Sequence, residues 1–88
     1  MWDALAVHGA VCVEPVGAVR TDPRPLALLP GSFNPLHHGH TGLARAAAAR
    51  LGVPVHFELS VTNADKPELP REEVERRAAQ FATVAPLW

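Results

Sequence analysis

The sequence predicts a small α/β fold with parallel strands, because short apolar runs alternate with helix patterns along most of the chain. The strand-like runs are LALL at residues 26–29 and VPVHFELSV at residues 53–61. Helix patterns follow them at residues 41–52 and 71–84, and residues 85–88 could open a third strand. Alternation of this kind specifies right-handed crossovers, so the predicted order is β-α-β-α-β.

The first strand and helix are indicated by local composition. LALL is a continuous apolar run followed by a proline and a glycine, as expected of a strand buried on both faces. In the helix, Leu43, Ala47 and Leu51 lie on one stripe at i, i+4 and i+8. Gly52 is a typical residue just beyond a helix C-terminus, so the helix is predicted to end there.

The second strand and helix have one apolar face each. Apolar and polar residues alternate through residues 55–61, which is typical of a strand. Val74 and Phe81 belong to the apolar face of the helix. Arg76 and Arg77 are interpreted as a solvated face, paired with glutamates four residues earlier.

Residues 1–25 do not follow this alternation. They are apolar and β-prone in part, but Pro15 excludes a central strand. We interpret them as an edge hairpin or a linker remnant, and residues 26–88 as the α/β domain.

Composition excludes several classes of function. The chain has 88 residues, and its 8 basic and 9 acidic residues give a formal net charge of −1, which offers no argument for nucleic acid or membrane binding. Cys12 is the single cysteine, so an intrachain disulfide and an all-cysteine zinc site are excluded. The start of the chain is a poor secretory signal, and no apolar run approaches the roughly 18 residues of a membrane span. A cytoplasmic location is therefore expected.

The loop GSFNPLHHGH, residues 31–40, joins the first strand to the first helix. The first turn of a helix has unpaired N–H groups and a partial positive charge, which makes this position a ready anion site. His37 and His40 share a face of a helical turn, whereas His38 is expected to face solvent. Because imidazole N–H groups can donate to phosphate oxygens, the pattern favours a phosphate site.

Two other interpretations of the histidines are a metal site and a solvated loop. Zinc needs three or four ligands, and only His37 and His40 have the required shared-face spacing. We therefore assign no metal ligand. His8 and His56 lie outside the loop and are interpreted as surface or structural residues.

GSFNPLHHGH resembles the first signature of the nucleotidylyltransferase superfamily, G-[GS]-F-[DN]-P-x-H-x-G-H, which contains the HxGH motif. Together with FELSVTNADKP, it is most similar to a cytidylyltransferase-like branch and to nicotinate or nicotinamide mononucleotide adenylyltransferases. The resemblance covers roughly residues 26–82. It implies a Rossmann-like parallel sheet, and it makes residues 26–88 the amino-terminal part of such a domain.

The resemblance also implies an activity and a site. Relatives transfer a nucleoside monophosphate from ATP or CTP to a phosphorylated small-molecule acceptor, usually with Mg²⁺, and release pyrophosphate. The implied catalytic residues are His37 and His40, and the implied nucleotide-binding residues are Gly31, Ser32, Phe33 and Gly39. Asn34 stands where many relatives have aspartate, and the sequence does not distinguish ATP from CTP.

Lys66 lies in the loop after the second strand, at the same edge of the predicted sheet as the histidines. Its ammonium group could contact an acceptor phosphate, and a solvated position is the alternative. Asn63 and Asp65 beside it are interpreted as turn formers.

A later signature of the superfamily, of the S-x-x-R or K-M-S-K-S kind, does not occur before Trp88. We therefore expect an incomplete domain with an open sheet edge, through which a second copy could associate. The alternative to an active transferase is a nucleotide- or phosphate-binding fragment, or a pseudoenzyme, that lacks catalysis.

Overall fold

The computed structural model describes residues 1–15, 18–22, 25–61 and 68–88. The elements in chain order are α1 (Trp2–His8), β1 (Cys12–Val13), β2 (Val19–Arg20), β3 (Leu28–Pro30), α2 (His38–Leu51), β4 (His56–Glu58) and α3 (Arg71–Ala79). Within those described ranges, no helix is long and apolar enough to cross a membrane.

β3 and β4 form a parallel pair. Leu29 pairs with Phe57, and Leu87 forms a further parallel bridge to Phe57. Leu87 also bridges antiparallel to Val13 of β1, which pairs with β2. The predicted α/β class and the parallel pairing are confirmed, and the unit is Rossmann-like. In residues 85–88, where a third strand was predicted, Leu87 forms isolated bridges.

The core joins α2 and α3 to one face of this sheet. Its buried residues come from both helices, from β4 and from the connecting segments: Phe33, Ala44, Phe57, Leu59, Val74, Phe81 and Leu87. The rings of Phe33, Phe57 and Phe81 meet pairwise at centroid distances of 4.9 to 5.6 Å. Since Phe33 belongs to the histidine-containing loop, this aromatic cluster attaches the loop directly to the core.

Burial on both faces of the first strand is a wrong prediction. Leu29 is half-buried, but its neighbour Leu28 is 41 % exposed. The reason is that α2 and α3 share one core cluster and so cover the same face of the sheet. The predicted end of α2 is confirmed, because Gly52 follows it with a left-handed φ of 72°.

A short helix, α1, is absent from the sequence-based prediction. The Trp2 indole N–H donates to Oε1 of Glu75 in α3 at 3.0 Å, and the Arg71 guanidinium lies 5.0 Å from the Trp2 ring centre. Helices this short are marginal in isolation, so these contacts with α3 stabilise it. Residues 12–20 contain the antiparallel β1–β2 pair, which reaches the sheet through the Leu87 bridge.

His56 of β4 and Trp88, the residue after Leu87, form a polar contact. The Trp88 indole N–H donates to Nδ1 of His56 at 2.9 Å, so this ring nitrogen carries no proton. Burial, followed by the positive charge of Arg20, lowers the pKa of His56, while Glu14 raises it less. The histidine is therefore structural, as expected.

We expect the free energy of unfolding to decrease as the pH falls below about 6.5, the pKa of an unfolded histidine. Because the pKa of His56 is lower in the folded chain, the unfolded chain takes up a proton first as the pH falls. The stabilisation is therefore complete above about pH 6.5 and is lost as the pH falls from there through the pKa of the folded chain. Urea titrations at several pH values measure this. His56→Gln keeps an acceptor without titrating and should flatten the dependence; an unchanged slope would contradict the assignment.

Candidate functional site

The site begins at Gly31, directly after β3. The Gly31 N–H donates to the carbonyl of Glu58 at 3.1 Å, which continues the β3–β4 ladder by one bond. A Cβ at Gly31 would lie 2.8 Å from two atoms of the Phe33 ring. Gly31 is therefore needed for the Phe33 ring to fold back against the strand end.

Phe33 belongs to the core and to the loop at once. The whole residue, backbone included, is 1 % exposed, so Phe33 presents almost no surface to a nucleotide in this structure. Its φ of 49° lies in the left-handed region, which is unfavourable for a bulky residue. The ring also packs edge-on against His40 at a centroid distance of 4.9 Å, which couples the core to the HxGH motif.

His37 and His40 cap the amino terminus of α2 with their own side chains. His37 is the N-cap residue, and its Nδ1 accepts a hydrogen bond from the Gly39 N–H at 3.0 Å. The His40 Nδ1 accepts in turn from the His37 N–H at 3.1 Å. The two imidazoles thus form a reciprocal capping box of the kind usually made by Ser or Thr with Glu.

This box determines where each neutral imidazole carries its proton. Because both Nδ1 atoms accept backbone N–H bonds, the proton of each neutral ring is on Nε2. The rings stack at a centroid distance of 3.9 Å and an interplanar angle of 28°. Burial, followed by the charge of His37, lowers the pKa of His40, which favours the neutral form. The pair presents two Nε2–H donors beside the positive end of the α2 dipole.

Gly39 makes this stacking possible. A Cβ at this position would lie 2.7 Å from Cε1 and 2.9 Å from Nδ1 of His37. The space that the missing side chain leaves is thus occupied by the His37 ring itself.

We expect Gly39→Ala to gain no stability and to weaken phosphate binding, whereas Gly42→Ala gains about 0.5–1 kcal/mol. A Cβ at Gly42 meets nothing within 4 Å, so alanine adds only helix propensity there. At Gly39 the same gain is offset because the new Cβ displaces the His37 ring. The lost N-cap hydrogen bond of His37 costs about 1 kcal/mol. Urea denaturation of both variants tests this. Equal stabilisation of the two would show that the His37 ring does not depend on Gly39.

Polar side chains of α3 bind the loop from the other side. Arg76 Nη2 donates to Asn34 Oδ1 at 2.7 Å, and Arg77 Nη1 donates to the Ser32 carbonyl at 3.2 Å. Gln80 Nε2 donates to the Phe33 carbonyl at 2.6 Å, and its Oε1 accepts from the Leu36 N–H at 2.8 Å. Glu73 forms ion pairs with both arginines. We call Glu73, Arg76, Arg77 and Gln80 the α3 clamp.

The α3 clamp was not identified from the sequence. Its members are spaced i, i+3, i+4 and i+7, which places four polar side chains on one face, and this pattern was the available signal. The interpretation of Arg77 as solvated is wrong, since its side chain is only 12 % exposed. Arg76 pairs with Glu73, three residues earlier, and this hydrogen bond lowers the pKa of Glu73.

The model of the cytidylyltransferase-like family matches residues 28–85, which is more than half of the 88-residue chain. The chain belongs to this family. Comparisons with curated proteins and with solved structures gave no match. The matched range contains the whole loop, α2, β4 and the α3 clamp, so the cytidylyltransferase-like unit and the candidate site coincide. Membership supports a nucleotidyltransferase-type domain, as the HxGH resemblance implies.

The remaining predicted site residues lie partly inside and partly outside the described ranges. Ser32 is exposed at the surface of the cytidylyltransferase-like loop, and His38 is exposed as expected. Lys66, with Asn63 and Asp65, lies outside the described residues. In the part of the chain that the structure describes, no three His, Cys, Asp or Glu side chains come together as they would to hold a metal ion.

Proposed function

We propose that this cytidylyltransferase-like domain transfers a nucleoside monophosphate from ATP or CTP to a phosphorylated small-molecule acceptor and releases pyrophosphate. The observation that supports this most is the reciprocal cap, in which His37 and His40 each use Nδ1 for the backbone of α2. Both Nε2–H groups are left as donors at a helix amino terminus, where an anion is favoured. The family match to residues 28–85 supports the same reaction class.

In the proposed reaction, an oxygen of the acceptor phosphate attacks the α-phosphorus in line. The new P–O bond forms as the bond between the α-phosphorus and the bridging oxygen breaks, and the electron pair leaves with pyrophosphate. The transferred group needs no covalent attachment to the protein, so positioning and charge stabilisation supply the catalysis. His37 and His40 donate through Nε2 to phosphate oxygens as negative charge builds up on them.

A pre-oriented pair of donors suits this role. The capping bonds hold both rings before any ligand binds, so little reorganisation is needed in the transition state. The Phe33 ring also packs against the His40 ring in an edge-on contact, which supports the orientation of His40. The lowered pKa of His40 favours its neutral form, which donates through Nε2–H while its Nδ1 caps α2.

The described residues of this loop do not fit a resident magnesium ion. Magnesium prefers oxygen ligands, whereas His37 and His40 present N–H donors. Glu73, the carboxylate that contacts the loop-binding arginines, is occupied by them. We propose that magnesium reaches the site as the counterion of the nucleoside triphosphate, and we assign it no protein ligand.

Pyrophosphate release from ATP and from CTP, each with Mg²⁺ and a panel of phosphorylated acceptors, tests the proposal. Calorimetric titration with the same nucleotides should accompany it. We expect binding of at least one nucleotide, and release that depends on an acceptor. Binding without release under any acceptor would favour the phosphate-binding alternative, and no heat or thermal shift with either nucleotide would contradict both.

A further inference from the structure

Gln80 closes the loop that precedes His37 with a single side chain. Its Nε2 donates to the Phe33 carbonyl at 2.6 Å, and its Oε1 accepts from the Leu36 N–H at 2.8 Å. These two backbone groups lie at the two ends of residues 33–36, a segment that is neither helix nor strand. Backbone groups in such a segment need partners from elsewhere, and one amide side chain satisfies both.

The orientation of the Gln80 amide is determined by its surroundings. Nε2 also donates to the carbonyl of Arg77 at 3.0 Å, so the nitrogen faces two carbonyls and the oxygen faces one N–H. A flipped amide would set like groups against each other at all three contacts. Glutamine has both a donor and an acceptor at this reach; glutamate at neutral pH has acceptors alone.

We propose that Gln80 is a positioning residue for the histidine pair, a role that rests on the proposed function of that pair. Leu36 directly precedes His37, the N-cap of α2, whose φ and ψ are −144° and 176°. The bond from Leu36 to Gln80 holds the chain as it enters this cap, and the bond to Phe33 holds the segment that carries the ring beneath His40. Gln80 thereby maintains the backbone contacts of both Nδ1 atoms. These contacts leave the two Nε2–H groups available to donate to a phosphate.

The other members of the α3 clamp reach different atoms. Arg77 binds the Ser32 carbonyl and Arg76 binds the Asn34 side chain, so both contact residues further from His37 than Leu36 is. Both arginines are also paired with Glu73 within α3. Gln80 is therefore the member whose contacts lead most directly to the histidine cap.

The test compares Gln80→Met with Val74→Ala. Methionine keeps the length and methylene packing of glutamine but forms neither hydrogen bond. Val74→Ala is the control for a general loss of stability, because Val74 is a core residue of α3 that is 5 % exposed. Long-range ¹H–¹⁵N spectra of the histidine side chains report the tautomer of His37 and His40 without nucleotide. Calorimetric titration with Mg²⁺–ATP and with Mg²⁺–CTP reports binding, and thermal denaturation reports stability.

We expect the wild type to show the Nε2–H tautomer at both histidines, and Gln80→Met to show a mixture at His37. Nucleotide affinity should fall about tenfold, the size expected for a lost backbone contact. Val74→Ala should lower the melting temperature but keep the tautomers, with affinity within about twofold. If Gln80→Met retains both tautomers, or if Val74→Ala changes them equally, the positioning role is wrong.

Two further outcomes keep this proposal separate from the proposed function. If the wild type binds neither nucleotide, the proposed function fails, but the tautomer comparison still decides the role of Gln80. If Gln80→Met does not fold, Gln80→Glu replaces it: this variant can still accept from the Leu36 N–H but cannot donate to the Phe33 carbonyl at neutral pH. Because the lost bond is the one to Phe33, whose ring packs on His40, a tautomer mixture at His40 in that variant supports the role, and wild-type spectra at both histidines overturn it.

Discussion

His40→Ala is expected to lower kcat/KM for nucleotidyl transfer about 10²- to 10³-fold, the cost of removing one pre-oriented donor from a charge-stabilising site. The substitution removes the Nε2–H group and also the Nδ1 acceptor of the His37 N–H. It further removes the ring that packs on Phe33 and stacks on His37. Both Nε2–H donors are therefore affected, one directly and one through its position. Pyrophosphate release at saturating and limiting nucleotide measures the effect.

Two variants separate the donor from the cap. His40→Gln supplies an acceptor at the third helical position, as glutamine does in ordinary capping boxes, so it should recover most of the stability lost in His40→Ala. It should recover little of the activity, because the stacked Nε2–H donor is gone. His38→Ala removes the exposed neighbouring histidine and should keep activity within about twofold. Activity unchanged in His40→Ala would rule out the catalytic role.

Phe33→Ala is expected to lower the free energy of unfolding by about 3–5 kcal/mol, as for other large-to-small changes in a packed core. Phe33 is 1 % exposed, and its ring contacts Phe57, Phe81 and His40. A small domain has only about 5–15 kcal/mol in total, so the variant should be close to unfolding. Urea denaturation followed by the tryptophan fluorescence measures this. Phe33→Leu, which retains apolar volume, should cost clearly less.

A double-mutant cycle with Gly31 identifies the cause of this loss. Gly31→Ala alone should be destabilising, since its Cβ would lie 2.8 Å from the Phe33 ring. In the Phe33→Ala background the ring is absent, so adding Gly31→Ala should cost almost nothing. The coupling free energy is then the cost of the contact between the new Cβ and the ring. Additive effects would mean that Gly31 is required for another reason.

The residues that carry the proposed chemistry were identified from local sequence, and the network that holds them was not. The i, i+3 spacing of His37 and His40 brings the two side chains together because α2 begins at His38, with His37 as its N-cap. That each uses Nδ1 to cap the helix became visible only in the folded chain. An HxGH pattern specifies the residue types but not which nitrogen of each ring faces the backbone.

The sequence by itself determined the α/β class, the parallel strand order and the placement of the histidine loop before a helix, because strand and helix periodicities are local properties of the chain. Only the tertiary structure decided what the polar face of α3 does. Gln80 contacts Phe33 and Leu36 across separations of 47 and 44 residues. A polar helix face has the same spacing whether it meets water or the backbone of a distant loop, so only the packing of α3 against the core distinguishes the two.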